Sequence, residues 1–94
     1  MITPNLKEAD LTRAALENTT LSRANLLKEN LAGARCIKAS ITSANLNNSD
    51  LTRANLTSAS IHGADFAKVN MISAATHEAN FKSAKLIETI GYKP

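Results

Sequence analysis

The chain of 94 residues contains no tryptophan, and Phe66, Phe81 and Tyr92 are its only aromatic residues. Base stacking on aromatic platforms is therefore nearly unavailable, and nucleic acid is not an expected partner. Three glycines, Gly33, Gly63 and Gly91, are too dispersed to form a phosphate-cradling loop. A single cysteine, Cys36, excludes a disulfide framework. The two histidines, His62 and His77, have no second ligand type in regular spacing with them, and no Ser/His/Asp arrangement can be assembled. No catalytic residue, cofactor or metal is therefore expected, and the chain does not read as an enzyme. No apolar run approaches membrane-spanning length. The opening Met1-Ile2-Thr3-Pro4-Asn5 has neither an apolar stretch nor a cleavage pattern, so a cytoplasmic protein without membrane attachment is expected. Eleven Lys and Arg against eight Asp and Glu give a formal +3, spread too evenly for a nucleic-acid-binding arm.

What the chain does contain is a period of five. From Leu6 to Leu86 every fifth residue falls in one register, and fifteen of the seventeen positions are Leu, Ile, Phe or Met, Cys36 and Thr76 being the exceptions. Two residues before each such centre stands a small residue, which is Ala at twelve of the eighteen sites from Pro4 to Thr89. A helix would spread centres five apart around its axis, and a plain strand would alternate in twos. The pattern instead predicts short extended segments, each pointing a centre and a small residue inward, joined by bends into a β-solenoid.

The number of sides per coil is also encoded. Asn or Asp precedes ten of the centres, and eight of the ten form two columns spaced by twenty: Asn5-Asn25-Asn45-Asp65 and Asp10-Asn30-Asp50-Asn70. Four of the six departures from Ala at the small position, Glu29, Ser49, Val69 and Thr89, share one column. A coil of fifteen residues would scatter both sets, so four sides are predicted.

The units Ala9-Asp10-Leu11, Ala24-Asn25-Leu26, Ala44-Asn45-Leu46, Ala54-Asn55-Leu56, Ala64-Asp65-Phe66 and Ala79-Asn80-Phe81 make the chain resemble the pentapeptide repeat proteins, whose unit is A(D/N)LXX. The resemblance covers residues 4–90 without insertion. It implies an all-β fold, a right-handed quadrilateral parallel β-helix (β-solenoid) of about four to four and a half coils of 20 residues. The whole chain, 1–94, is then one repeat domain, with 1–3 as an N-terminal cap and 91–94 as a C-terminal tail. The least regular units, Thr19-Thr20-Leu21, Glu29-Asn30-Leu31, Arg35-Cys36 and Ala75-Thr76, are expected to keep the register.

Three further expectations concern particular residues. Glu29, the one charged residue at an inward site, is read as a bulge that lets its carboxylate reach solvent or Lys28; the competing reading is a local opening that holds a water or ligand. The Asn and Asp columns are expected to bond along the axis and to their own turns, and their confinement to two sides predicts a turn geometry there different from the other two. The fourth side, with Arg23, His62 and Lys82 among many hydroxyls and no acid, is a candidate surface for an anionic partner.

Candidate protein contacts are the apolar corner residues Leu27, Ile37, Ile72 and Ile87, Leu27 and Ile87 sharing a column with Ala67, together with Ile90 and Tyr92 in an unusually apolar end segment. A β-helix leaves unpaired backbone groups on its end coils, so a homo-oligomer formed through coil ends, or an interaction through this segment, is expected. The expected function is a non-enzymatic scaffold or protein-binding module of unidentified partner. The resemblance also implies an alternative, a DNA-mimicking inhibitor of DNA gyrase or topoisomerase. Against that pattern the chain is short, net basic and without an evident C-terminal dimerisation helix. A third reading is a binder of an anionic partner through the basic, hydroxyl-rich fourth side.

Overall fold

The computed structural model describes residues 10–92. Its repeating element is the five-residue unit itself. The residue before each centre is bridged in parallel to the residue twenty positions on, as in Asp10↔Asn30, Ala15↔Arg35, Thr20↔Ser40 and Asn25↔Asn45, and the pattern runs to Asn70↔Ile90. The chain therefore returns to the same side every twenty residues. Sides are named here by their centres: first, Leu26, Leu46, Phe66 and Leu86; second, Leu11, Leu31, Leu51 and Met71; third, Leu16, Cys36, Leu56 and Thr76; fourth, Leu21, Ile41, Ile61 and Phe81. The four irregular units stay in register, as Thr20↔Ser40, Asn30↔Asp50, Arg35↔Asn55 and Asn55↔Ala75 show.

Extended strands do not develop because a bend follows every centre. The centre's carbonyl accepts the amide three residues on, as in Ala24 N to Leu21 O at 3.0 Å and Ala54 N to Leu51 O at 3.0 Å. The third residue of each turn has φ between +56° and +69°, from Arg13 to Glu88, which is the signature of a type II turn. Fourteen of these positions carry a side chain and only Gly33 and Gly63 do not. The expectation of two turn geometries is thus overturned: corners on all four sides share one conformation. Sides of equal length, each stacked on its own kind, require equal corners whatever residues occupy them.

Asn and Asp act on that common turn rather than along the axis. Each one preceding a centre accepts the amide two residues on through Oδ1, for example Ala32 N to Asn30 at 3.1 Å and Lys82 N to Asn80 at 2.9 Å. Asn55 and Asp50 also accept the hydroxyls of Thr57 and Thr52, at 2.6 and 2.7 Å. Among the described residues no hydrogen bond joins neighbouring members of a column, so the expected axial ladder does not form; the turn amide takes the oxygen that such a ladder would use.

Each coil is joined to the next at three backbone positions per side, shown by Leu31 N to Asp50 O at 2.8 Å, Gly33 N to Thr52 O at 2.8 Å and Asp50 N to Glu29 O at 2.9 Å. Inside, centres and small residues from Leu21 to Met71 form a continuous core, with Phe66, Leu26, Leu46 and Leu56 wholly buried. Towards the C-terminal end the inward residues Ala74, Ala79, Phe81, Ala84 and Leu86 are only half-buried against that core.

Candidate functional site

The coil formed by residues 71–90 differs from those before it. Up to Met71, whose amide bonds Ile90 O at 2.7 Å, each described centre donates to the following coil. Among the described residues, the amides of Thr76, Phe81 and Leu86 and the carbonyls of Ala74, Ala79 and Ala84 have no such backbone partner. The exposed large apolar residues gather on the same coil: Ile72 at 50%, Ile87 at 70% and Ile90 at 52%. Ile87 also lines, with Ala67, Lys85 and Leu86, an open cleft of about 400 Å³. The structure thus brings together three of the sequence-predicted contacts and leaves two out. Leu27 and Ile37 are half-buried, on earlier coils. Ala67, placed on the outward column of Leu27 and Ile87, is instead buried at 8% exposure.

Tyr92 serves the end of the core. Gly91, at φ +80°, turns the chain against the preceding coil; a Cβ there would lie 2.7 Å from Ile72 N and 2.8 Å from Met71 C. Only glycine permits that approach. The turn sets the Tyr92 ring 5.0 Å from Phe81 at 65°, and Phe81 stands 5.7 Å from Phe66 at 87°. Tyr92 is accordingly half-buried.

On the fourth side Arg23, His62 and Lys82 are exposed, in neighbouring columns. Part of the hydroxyl array between them is already engaged. Ser22 and Ser40 share a bond of 2.9 Å, and Thr42 and Ser60 one of 3.1 Å, each linking adjacent coils.

The interior contradicts the bulge proposed for Glu29. Its amide bonds Leu26 O at 3.1 Å and its carbonyl accepts Asp50 N at 2.9 Å, as in any other unit. The side chain is 3% exposed, and Oε2 has no partner. Ser49, one coil on in the same column, is 2% exposed with Oγ likewise unpartnered. Backbone continuity outweighs the cost of enclosing one carboxyl, because a bulge would break the ladder on both flanking coils. Thr89, two coils further, escapes the same problem by donating to Phe66 O at 2.7 Å.

The family profile described as Pentapeptide repeats (8 copies) matches residues 5–35 and 34–71. The chain belongs to the pentapeptide repeat family. Among solved structures it is similar to a pentapeptide repeat protein from the cyanobacterium Cyanothece 51142, at 34% identity and a TM-score of 0.68 over 86% of this chain and 52% of that one. It is also similar to one from Nostoc Pcc 7120, at 29% identity and a TM-score of 0.52 over 85% of this chain and 62% of that one. The chain therefore spans between half and two thirds of the length of these relatives. No curated protein matches it.

Two ionisable groups on this pentapeptide repeat scaffold depart from their ordinary values. Burial, reinforced by the Glu17 charge, pushes the Cys36 thiol up to about 11 from 9.0, away from thiolate reactivity. The Thr12 hydroxyl and amide hold Asp10 below its usual carboxylate value. Among the described residues no group of three or more His, Cys, Asp or Glu is placed to hold a metal ion, and no helix is long and apolar enough to cross a membrane. One arrangement escaped the sequence reading: Thr12, Arg13, Ala32, Gly33 and Arg53 line a second cleft, of about 240 Å³. Its signal was the twenty-residue spacing of Arg13, Gly33 and Arg53, visible only once corner positions are treated as a column.

Proposed function

We propose that this chain is a non-enzymatic binding module that works by end-on contact with another protein chain, through the coil of residues 71–90. The fold that presents this face is, on the same reading, a right-handed quadrilateral β-helix of about four to four and a half coils, which the twenty-residue bridging supports. The observation that carries the proposal is that Ile72, Ile87 and Ile90 lie on the coil whose outer backbone groups are unpaired among the described residues. Unpaired edge amides and carbonyls offer directional pairing to an incoming chain, and flanking apolar side chains supply the driving force. Burying one exposed Ile is worth roughly 1.5–3 kcal/mol, so three of them matter beside a handful of edge hydrogen bonds.

A second copy of this chain is the simplest occupant, since it brings an edge of the same spacing. Sedimentation velocity from micromolar to millimolar protein tests it. Reversible association that Ile87→Lys and Ile90→Lys weaken is the expected result. A single monomeric species at every concentration overturns the reading.

A further inference from the structure

The corner that follows the second side carries Arg13, Gly33 and Arg53 in one column, with φ of +59°, +69° and +60°. Coils spaced like paired strands stand about 4.8 Å apart, so the two arginines are separated by roughly 9.6 Å along the axis with the glycine between them. Gly33 makes the notch. A Cβ there would meet Arg13 Cγ at 3.3 Å, so a side chain at this position would occupy the space in which the arginine stem now lies. The backbone is already committed, with Arg13 N bonded to Ala32 O at 2.8 Å, Gly33 N to Thr52 O at 2.8 Å and Arg53 N to Ile72 O at 3.0 Å. Recognition at this cleft falls to side chains alone.

Arg13 and Arg53 are exposed, and among the described residues no carboxylate lies within ion-pair distance of either. The acids closest in sequence keep their charge but turn one oxygen to their own corners rather than to the arginines: Asp10 Oδ1 accepts both the amide and hydroxyl of Thr12, at 3.0 and 2.6 Å, and Asp50 Oδ1 those of Thr52, at 2.9 and 2.7 Å. Arg35, two residues beyond Gly33, is taken up by Glu17 at 3.2 Å. The chain holds its own comparison. Gly63 occupies an equivalent corner between Ser43 and Ser83, with the same φ of +69° and no cation above or below it.

We propose that the Arg13–Gly33–Arg53 cleft binds a phosphate group, free or esterified. Each guanidinium is a planar fork that chelates two oxygens, and a carboxylate has only enough to satisfy one fork. A tetrahedral oxyanion offers oxygens to both at once, and the glycine admits the Arg13 stem into the corner between them. This inference does not depend on end-on association, because the cleft lies on a corner of earlier coils.

The test follows the arginine Nε–H signals by NMR while inorganic phosphate, phosphoserine and acetate are titrated in turn. Saturable shifts confined to Arg13 and Arg53 are expected with the two phosphates, the tighter of which names the source, and much weaker binding with acetate. Removing each fork by R13Q or R53Q should weaken phosphate roughly tenfold or more. Changing both to Lys, which keeps charge but not the fork, should also weaken it. Gly33→Asn, tolerated at this φ as Asn18 and Asn48 are, should block binding with both arginines intact. K68Q, at a different corner, should change nothing. Equal binding of acetate, unchanged affinity in the R13Q/R53Q double variant, or shifts spread over all Lys and Arg would overturn the proposal.

Discussion

Glu29 and Ser49 stand one above the other on the inside of the coil, and neither Glu29 Oε2 nor Ser49 Oγ finds a hydrogen-bond partner. Enclosed polar atoms left unpaired cost about 1–3 kcal/mol each, and more when charged. Ala fills the equivalent position in most units. Ser49→Ala should therefore raise stability by about 1 kcal/mol, and Glu29→Ala by at least as much, despite the space that it vacates. Urea unfolding midpoints measure both. A loss of stability in either variant would mean that the pair encloses a bound partner that repays its burial.

Gly91 governs how the core is closed. Gly91→Ala drives a methyl into the Met71–Ile72 backbone, at 2.7 to 2.9 Å, and forces φ +80° on an L residue. A strained position of this kind costs about 1–3 kcal/mol, relieved here by lifting the end segment away. Because Tyr92 is the only tyrosine and there is no tryptophan, its fluorescence reports on that end alone. The variant should show a solvent-exposed tyrosine at temperatures well below the main melting transition.

The corners predict a simple ranking. Lys28, at φ +57°, should accept Asn or Gly with little change, whereas Lys28→Val should lose about 1–2 kcal/mol, since a β-branched residue resists the left-handed region. Asn55→Ala, which deprives Thr57 of bonds at 3.0 and 2.6 Å, should lose about 0.5–1.5 kcal/mol. Thermal melts compare the set.

Cys36 gives a pH dependence with a definite sign. Its folded value, about 11, lies above the unfolded 9.0, so the folded state holds the proton more tightly. The stability that this contributes is complete below pH 9 and is lost as pH climbs towards 11. Any stability difference favouring the native protein over Cys36→Ala should therefore shrink across that window. The native thiol should also react with Ellman's reagent far more slowly than the urea-unfolded chain.

The period of five and the stacking by twenty were legible in the sequence because most inward side chains are held to a narrow choice of identity: Leu26, Leu46 and Phe66 must fill the same strip. The corners were not legible. Arg13, Lys38, Ser58 and Glu78 share no propensity for positive φ, and the coil imposes it on them. The Glu29 carboxyl was misjudged for a related reason, since local chemistry argued for a bulge while hydrogen bonds to both neighbouring coils held the backbone straight. Of the apolar contacts, Ile72, Ile87 and Ile90 were readable as outward residues, but their gathering on one coil, and the half-burial of Leu27 and Ile37, depends on what stacks beside them. The Arg13–Gly33–Arg53 cleft was hidden because its members are forty residues apart in sequence.

Pairing at a constant offset of twenty makes the molecule tolerant of only certain changes in length. Excising 41–60 would splice Ser40 to Ile61 and leave every remaining side facing as before, whereas excising a single quintet would rotate everything downstream by a quarter turn. Growth and shrinkage of such a chain are therefore quantised, with whole loops gained or lost quietly and fractional ones swinging any downstream surface to a new bearing.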